Sequence, residues 1–377
     1  MAFARASDGK SSANHRYLWL DFARGIAAIS VMLYHYQEFT GYSHLFKAAY
    51  LAVDLFFMMS GFVIAHAYGA KLFQSMSTFE YVVARLVRLY PVYLFATLFG
   101  AGYYLSKVVL ATDDAAAMTD ILAILAHNLF FFPFSETIAE PSGIFPFSPA
   151  AWSLSVEVVL SIFFVIALWH FRTRNLLLTF VGSGLICLMF AARYGTLDFG
   201  FSMEGFFPAI FRAVAEFSLG IWLYRRFGGV RVNSNIAAAA VLAGITLALV
   251  FLTPTLPVSV LVVVIAFPLL FLVQPMVEPS GITAKVFSEF GRISYPVYLL
   301  HTPVLLWGAG ILKFLNIDPL NYTPWIGLAL AVCSIAMSWI VAVLFDEPVR
   351  RWLNKQVKKA KARGAQASSE QHSRSTH

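Results

Sequence analysis

The chain has 377 residues, 59% hydrophobic and only 12% charged, with 36 phenylalanines and a mean hydropathy of +0.72. A soluble domain carries about 25% charged residues, so this composition excludes an ordinary soluble protein and describes an all-α, multi-pass integral membrane protein. The net charge of +7 does not imply nucleic-acid binding, since no recognition motif accompanies it, and Cys187 and Cys333 sit in apolar runs that imply no disulfide framework.

Residues 1–17 are polar and basic, without a cleavable signal peptide, and read as a cytoplasmic segment. The first predicted span, 18–38, holds Asp21, Arg24 and His35. Arg24 and His35 are eleven residues apart, about three helical turns, which puts them on nearly one face roughly 16 Å apart. Ionisable residues inside a span are costly and point to function. His35 suits general-base chemistry near neutral pH, while Arg24 keeps its proton and suits an anion or oxyanion, with Asp21 one turn away as its partner. A buried ion pair beside a packing histidine is the plainer reading of the same residues.

The second span, 48–69, carries Asp54 and a Ser60-Gly61 step that permits close helix packing. The third, 83–105, opens on Arg85 and Arg88, whose i, i+3 spacing shares a helix face; this is either a phosphate clamp or a topology anchor. Ile121–Phe134 is fourteen residues long, short of the ~20 needed to cross, and is expected as a re-entrant or interfacial segment of an external loop. The Pro- and Gly-containing stretch Glu136–Ala150 is then a candidate lid or acceptor-binding loop. Further spans are expected at 150–170, with Glu157 near its outer end, at 175–193, and at 206–224, where Arg212 and Glu216 should pair at i, i+4. The last four are 235–252, 258–275, 293–312 with His301, and 324–345, closed by Asp346-Glu347-Pro348. A transmembrane domain over 18–348 precedes a basic, partly disordered cytoplasmic tail at 349–377, suited to anionic membrane lipid.

Basic clusters at Arg5/Lys10/Arg16, Lys71/Arg85/Arg88, Arg172/Arg174, Arg225/Arg226/Arg231, Lys285/Arg292 and the tail fall on alternate connections. That pattern gives about ten crossings with both termini cytoplasmic, in the inner membrane. Buried charges of both signs on several spans imply a polar cavity inside the bundle. No metal-ligand spacing and no nucleophile elbow is present, so neither a metal nor a serine-hydrolase mechanism is expected.

Taken in order, LDFARGIAAISVMLYH, VDLFFMMSGFVI, Arg85/Arg88 before LYP, WSLSVE, FRAVAEFSLG, ISYPVYLLH and FDEPVRRW resemble the membrane acyltransferase-3 family of the polysaccharide O-acetylase type. The resemblance covers residues 20 to about 352. Some members carry an extra periplasmic hydrolase-like domain after the last span, where this chain has its basic tail. The resemblance implies transfer of an acyl group, usually acetyl, from cytoplasmic acetyl-CoA or another acyl-CoA to a hydroxyl of a glycan, lipid-linked saccharide or glycosylated metabolite. It makes His35 the base or acyl relay with Arg24 as motif partner, adds Glu347 to the catalytic set, and gives the CoA phosphates to Arg85 and Arg88. Asp21, Asp54, Glu157, Arg212 and His301 become the supporting polar cavity. A transporter or flippase using the same buried charges as its path is the alternative from a different class.

Overall fold

The structure, a computed structural model, describes residues 16–41, 44–134, 143–228, 235–273 and 278–375. Every regular element among the described residues is a helix: α1 (Leu18–His35), α2 (Ala52–Gln74), α3 (Thr78–Val109), α4 (Met118–Leu129), α5 (Ala151–Ile166), α6 (Thr173–Tyr194), α7 (Met203–Phe227), α8 (Asn235–Phe251), α9 (Leu256–Leu272), α10 (Gly281–Phe314), α11 (Trp325–Ile340) and α12 (Glu347–Ser375). A π-helical turn, Val341–Asp346, joins α11 to α12. Each expected span falls on one of these helices. Six stretches among the described residues are long and apolar enough to cross a bilayer: α2, α3, α6, α7, α10 and the continuous α11–α12. The helices bury one large apolar core and a smaller cluster around Tyr104, Ile121 and Phe147, and turn Met189, Val332 and Leu344 outward, more than 60% exposed, as a lipid-facing surface requires.

Local chemistry sets the helix ends. Ser77 and Glu80 form a reciprocal capping box at the start of α3: the Glu80 amide donates to Ser77 Oγ, and the Ser77 amide to Glu80 Oε2. Between helices, glycines set the approach. Gly25 of α1 lies against Phe290, and Gly291 of α10 lies against Asp21. Gly61 of α2 lies against Phe217, and Gly220 of α7 lies against Met58. At each of these positions a Cβ would collide with the neighbouring helix, so backbones meet where the sequence offered small residues.

Contact order along the helices gives their directions. Arg24 meets Ser294 and His35 meets His301, so α1 and α10 run parallel. Tyr295 donates to the Leu89 carbonyl and Trp307 to that of Phe99, so α3 runs with them. Asp54 meets Arg212 and Phe62 meets Tyr224, so α2 and α7 are parallel to each other, while Tyr17 against Phe62 sets α1 opposite to α2.

The short helix α4 is twelve residues, about 18 Å long. It turns back along α3 from the level of Lys107, which binds Asp114, to the level of Tyr93, whose hydroxyl reaches the Asn128 carbonyl. Residues 135–142 of the expected lid lie outside the described residues. The remainder is packed inside the bundle, with Ile144, Phe145 and Phe147 buried and Ser148 donating to the Leu299 carbonyl. The basic tail continues α12 through Ser375, and its Lys, Arg, Gln and Ala residues are strong helix formers.

Candidate functional site

A cavity of about 680 Å³ opens at the end of the bundle where α1 begins. Six arginines line it (Arg16, Arg24, Arg85, Arg88, Arg292 and Arg350) against three carboxylates, Asp21, Glu157 and Glu347. They come from α1, α3, α5, α10, α12 and, for Arg16, the segment just before α1. A surplus of guanidinium groups in a partly desolvated cleft favours a ligand with several negative charges.

Arg24 is fixed by neighbours on two helices. Its Nη2 donates to Asp21 Oδ1 at 2.6 Å, as the sequence leads one to expect, and its Nε donates to Ser294 Oγ of α10 at 3.0 Å. The glycine contact at Gly25 and Gly291 brings α10 close enough for that bond. Asp21 also takes Arg16 Nε at 2.6 Å.

Arg85 and Arg88 line the same cavity but take separate partners. Arg85 Nη2 donates to Glu157 Oε1 at 2.8 Å, and Ser60 Oγ donates to the same oxygen at 2.7 Å. Arg88 lies over the Tyr295 ring, 4.0 Å from Asp346 Oδ2. Asp346, presented by the π turn, is held mainly by Arg350 at 2.7 Å. Arg85 Nε and Arg350 Nε are buried without a hydrogen-bond partner among the described residues. Buried donors without partners in a cavity wall are what an anionic ligand satisfies.

Glu157 departs from the sequence reading. It was expected near the outer end of its span, yet it sits in the arginine cavity. The reason is that α5 starts deep in the bundle, because residues 143–150 pack inside rather than cap the surface. The expected Arg212–Glu216 pair is also replaced. Arg212 is wholly buried and forks onto Asp54 of α2, with Nε at 2.7 Å from Oδ1 and Nη2 on Oδ2, and it also donates to the Tyr50 and Phe199 carbonyls. A carboxylate brought face-on by the α2–α7 glycine contact suits the planar fork better than one a single turn away on the same helix. This pair does not line the arginine cavity.

His35 ends α1 and is exposed, outside the cavity wall. Its Nδ1 is 2.9 Å from the Val31 carbonyl and 3.2 Å from His301 Nε2; His301, fully buried, has Nδ1 3.0 Å from the Val297 carbonyl. These contacts determine one neutral arrangement. Each carbonyl requires an N–H at the facing Nδ1, so His301 Nε2 is an acceptor and His35 Nδ1–H is shared between Val31 and His301. His35 Nε2 is left with a free lone pair.

The cavity ends on Tyr298, whose hydroxyl bonds Ser153 Oγ at 2.7 Å and whose ring packs on Phe56. Tyr298 is three residues before His301, about 4.5 Å along the helix, so the inner end of the cavity is one turn short of the histidine pair. Glu347 is at the other end: it pairs with Arg292 at 3.0 Å, and Arg292 is nine residues, about 13 Å, from His301 along α10. The structure thus brings together Asp21, Arg24, Arg85, Arg88, Glu157 and Glu347 around one cavity, His35 and His301 at a second point, and Asp54 with Arg212 at a third. Ser294, Tyr298, Arg292 and Arg350 were not expected as site residues from sequence. Ser294, Tyr298 and His301 do follow the i, i+4, i+7 spacing of one helix face, which is the signal that marks them.

An acyltransferase domain family of the acyltransferase-3 type matches residues 17–343. The chain is 35% identical over 189 residues to a Rhizobium radiobacter protein described as protein 2 in the picA locus, covering 48% of this chain and 96% of that protein. It is 29% identical over 280 residues to the exopolysaccharide production protein ExoZ of Rhizobium meliloti (strain 1021), covering 72% of this chain and 80% of ExoZ. No solved structure matches. With a family match over nearly all of its helical part, the chain belongs to the acyltransferase-3 family of membrane proteins.

Proposed function

We propose that the protein transfers an acyl group, acetyl in the first instance, from acyl-CoA to a hydroxyl of an exopolysaccharide or its lipid-linked precursor, in the bacterial inner membrane. The observation that carries this reading is the six-arginine cavity ending one helical turn short of His301, whose hydrogen-bonded partner His35 keeps a free basic nitrogen. The arginine end faces the cytoplasm, where basic loops are retained. The parallel course of α1, α3 and α10 against α2 is the parity that a ten-crossing chain requires.

Acyl-CoA carries a diphosphate and a 3′-phosphate on one end and a thioester at the tip of a long flexible arm. Arg24, Arg88 and Arg350 meet the phosphates, and Arg85 offers its unpartnered Nε while Glu157 and Ser60 hold its orientation. The arm reaches toward Tyr298 and the histidines. His35 Nε2 takes the proton from the acceptor hydroxyl as that oxygen attacks the thioester carbonyl. The C–S bond then breaks and the thiolate recovers the proton from His35. His301 is a positioning residue: it holds the His35 tautomer and stabilises the positive charge that develops on the ring. Glu347 acts at the cavity mouth by fixing Arg292, and takes no part at the acyl carbon.

The experiment is a comparison of surface glycans from parent and deletion strains by mass spectrometry. The reading expects loss of one acyl group per repeat unit, restored by the wild-type gene. Unchanged acylation, or movement of a solute without acyl-CoA consumption, overturns it in favour of a transporter.

A further inference from the structure

Beside the exposed face of His35 lies a second polar cluster that transfer from the donor side does not use. Tyr34, adjacent to His35 with ring centroids 5.1 Å apart, donates its hydroxyl to Asp198 Oδ2 at 2.8 Å. Asp198 belongs to the 195–202 connection between α6 and α7, at the end of the bundle away from the arginines. That connection is rigid. Gly195 and Gly200 adopt positive φ (72° and 133°), the Asp198 amide donates to Thr196 Oγ1 at 2.9 Å, and the buried Arg212 holds the Phe199 carbonyl. Tyr50, 6.5 Å from Tyr34 between ring centroids, backs the cluster and is itself tied to Ser259 at 3.0 Å. Asp198 Oδ1 takes no hydrogen bond among the described residues. One carboxylate oxygen is therefore held by tyrosine and the other is available, on a stiff loop, close to the exposed His35.

An ionised carboxylate with one free oxygen accepts a hydroxyl strongly, and a tyrosine ring offers an apolar face to the C–H side of a sugar. Building on the transfer reading above, we infer that Asp198 and Tyr34 form the acceptor subsite: Asp198 Oδ1 holds one hydroxyl of a glycan unit and so delivers a neighbouring hydroxyl to His35 Nε2. The ligand class is a saccharide with adjacent free hydroxyls. Asp198 is a specificity-determining residue, and the acylated position is set by its distance from the hydroxyl that Asp198 binds.

The test uses the full chain in lipid nanodiscs with acetyl-CoA and, as acceptor probe, oligosaccharides cut from base-deacylated exopolysaccharide of the host strain. Asp198→Asn is expected to raise the KM for oligosaccharide about tenfold, the loss of one hydrogen bond to a charged group, with the KM for acetyl-CoA changed less than twofold. Tyr34→Phe removes the tie between loop and helix but leaves the carboxylate, and is expected to raise the acceptor KM by about threefold or less. If Asp198 only anchors the loop, the two variants behave alike, lowering kcat and thermal stability together at an unchanged acceptor KM; that outcome overturns the subsite while leaving acyl transfer intact. A parent protein that consumes no acetyl-CoA with this probe overturns the transfer reading and the subsite with it.

Discussion

His301→Ala isolates the partnership between the two histidines. In the resting site the bond from His35 Nδ1–H to His301 Nε2, at 3.2 Å, joins two neutral rings and is worth about 1 kcal/mol. When His35 takes the acceptor proton the donor becomes charged, and such bonds are worth roughly 1.5–3 kcal/mol. The difference, about 1.4 kcal/mol, is stabilisation gained only in the transition state, so kcat should fall about tenfold with the KM for acetyl-CoA unchanged. Val31 still accepts from Nδ1 at 2.9 Å, which keeps the loss from being larger. His301→Gln, whose amide oxygen can replace the lost acceptor, should recover part of the rate. His35→Ala should cost about 10²–10⁴-fold, and the double variant should be no slower than His35→Ala alone, because the two residues act as one unit. The assay is acetyl transfer by purified protein in nanodiscs with both substrates varied. Additive losses in the double variant, or a loss confined to the KM for acetyl-CoA, refute the reasoning.

Replacing Arg88 and Arg350 together with Ala should raise the KM for acetyl-CoA tenfold or more at a nearly constant kcat, given roughly 1.5–3 kcal/mol for each charged hydrogen bond lost; steady-state kinetics at two salt concentrations check it. Arg212→Leu leaves Asp54 buried and unpaired and should destabilise the protein by about 3–5 kcal/mol, read as a lower melting temperature in detergent, while the Asp54→Leu/Arg212→Leu double variant should recover much of it. Asp114, in the α3–α4 connection, is bound at 3.0 Å by both Lys107 and Lys313, which hold its carboxyl well below the usual carboxylate range. A carboxyl depressed in the folded state contributes above its ordinary value, about pH 4, and the contribution is lost as pH falls through the depressed one. Asp114→Asn should therefore loosen the meeting of α3 and α10 at neutral pH, seen as faster hydrogen exchange in residues 105–116, and the difference from the parent should vanish in strong acid.

The positions of the helices were legible because lipid leaves the chain few options: apolar runs become helices, and six of the described stretches are long and apolar enough to cross a bilayer. Side-chain partners were legible only within a helix. Asp21 and Arg24, three residues apart, pair as expected; Arg212 and Glu216, four apart, do not, because Asp54 on another helix offers a better-shaped partner. Which helices meet depends on the glycines at 25, 61, 220 and 291, and nothing in one sequence says which glycine faces which neighbour. Glu157 illustrates the same limit in depth: its level in the bundle follows from how deeply residues 143–150 pack, not from its place in an apolar run. The cavity was expected from buried charges of both signs, but its arginine surplus needed Arg292 and Arg350, which read from sequence as loop and tail anchors.

The most direct test of one acyl path from the arginine cavity to His35 is a paired measurement on His35→Ala: equilibrium binding of acetyl-CoA, and transfer of labelled acetyl to oligosaccharide, by the full-length protein. The account predicts binding within twofold of the parent and transfer reduced at least a hundredfold. Transfer at the parental rate, or loss of binding in proportion to loss of transfer, would contradict it.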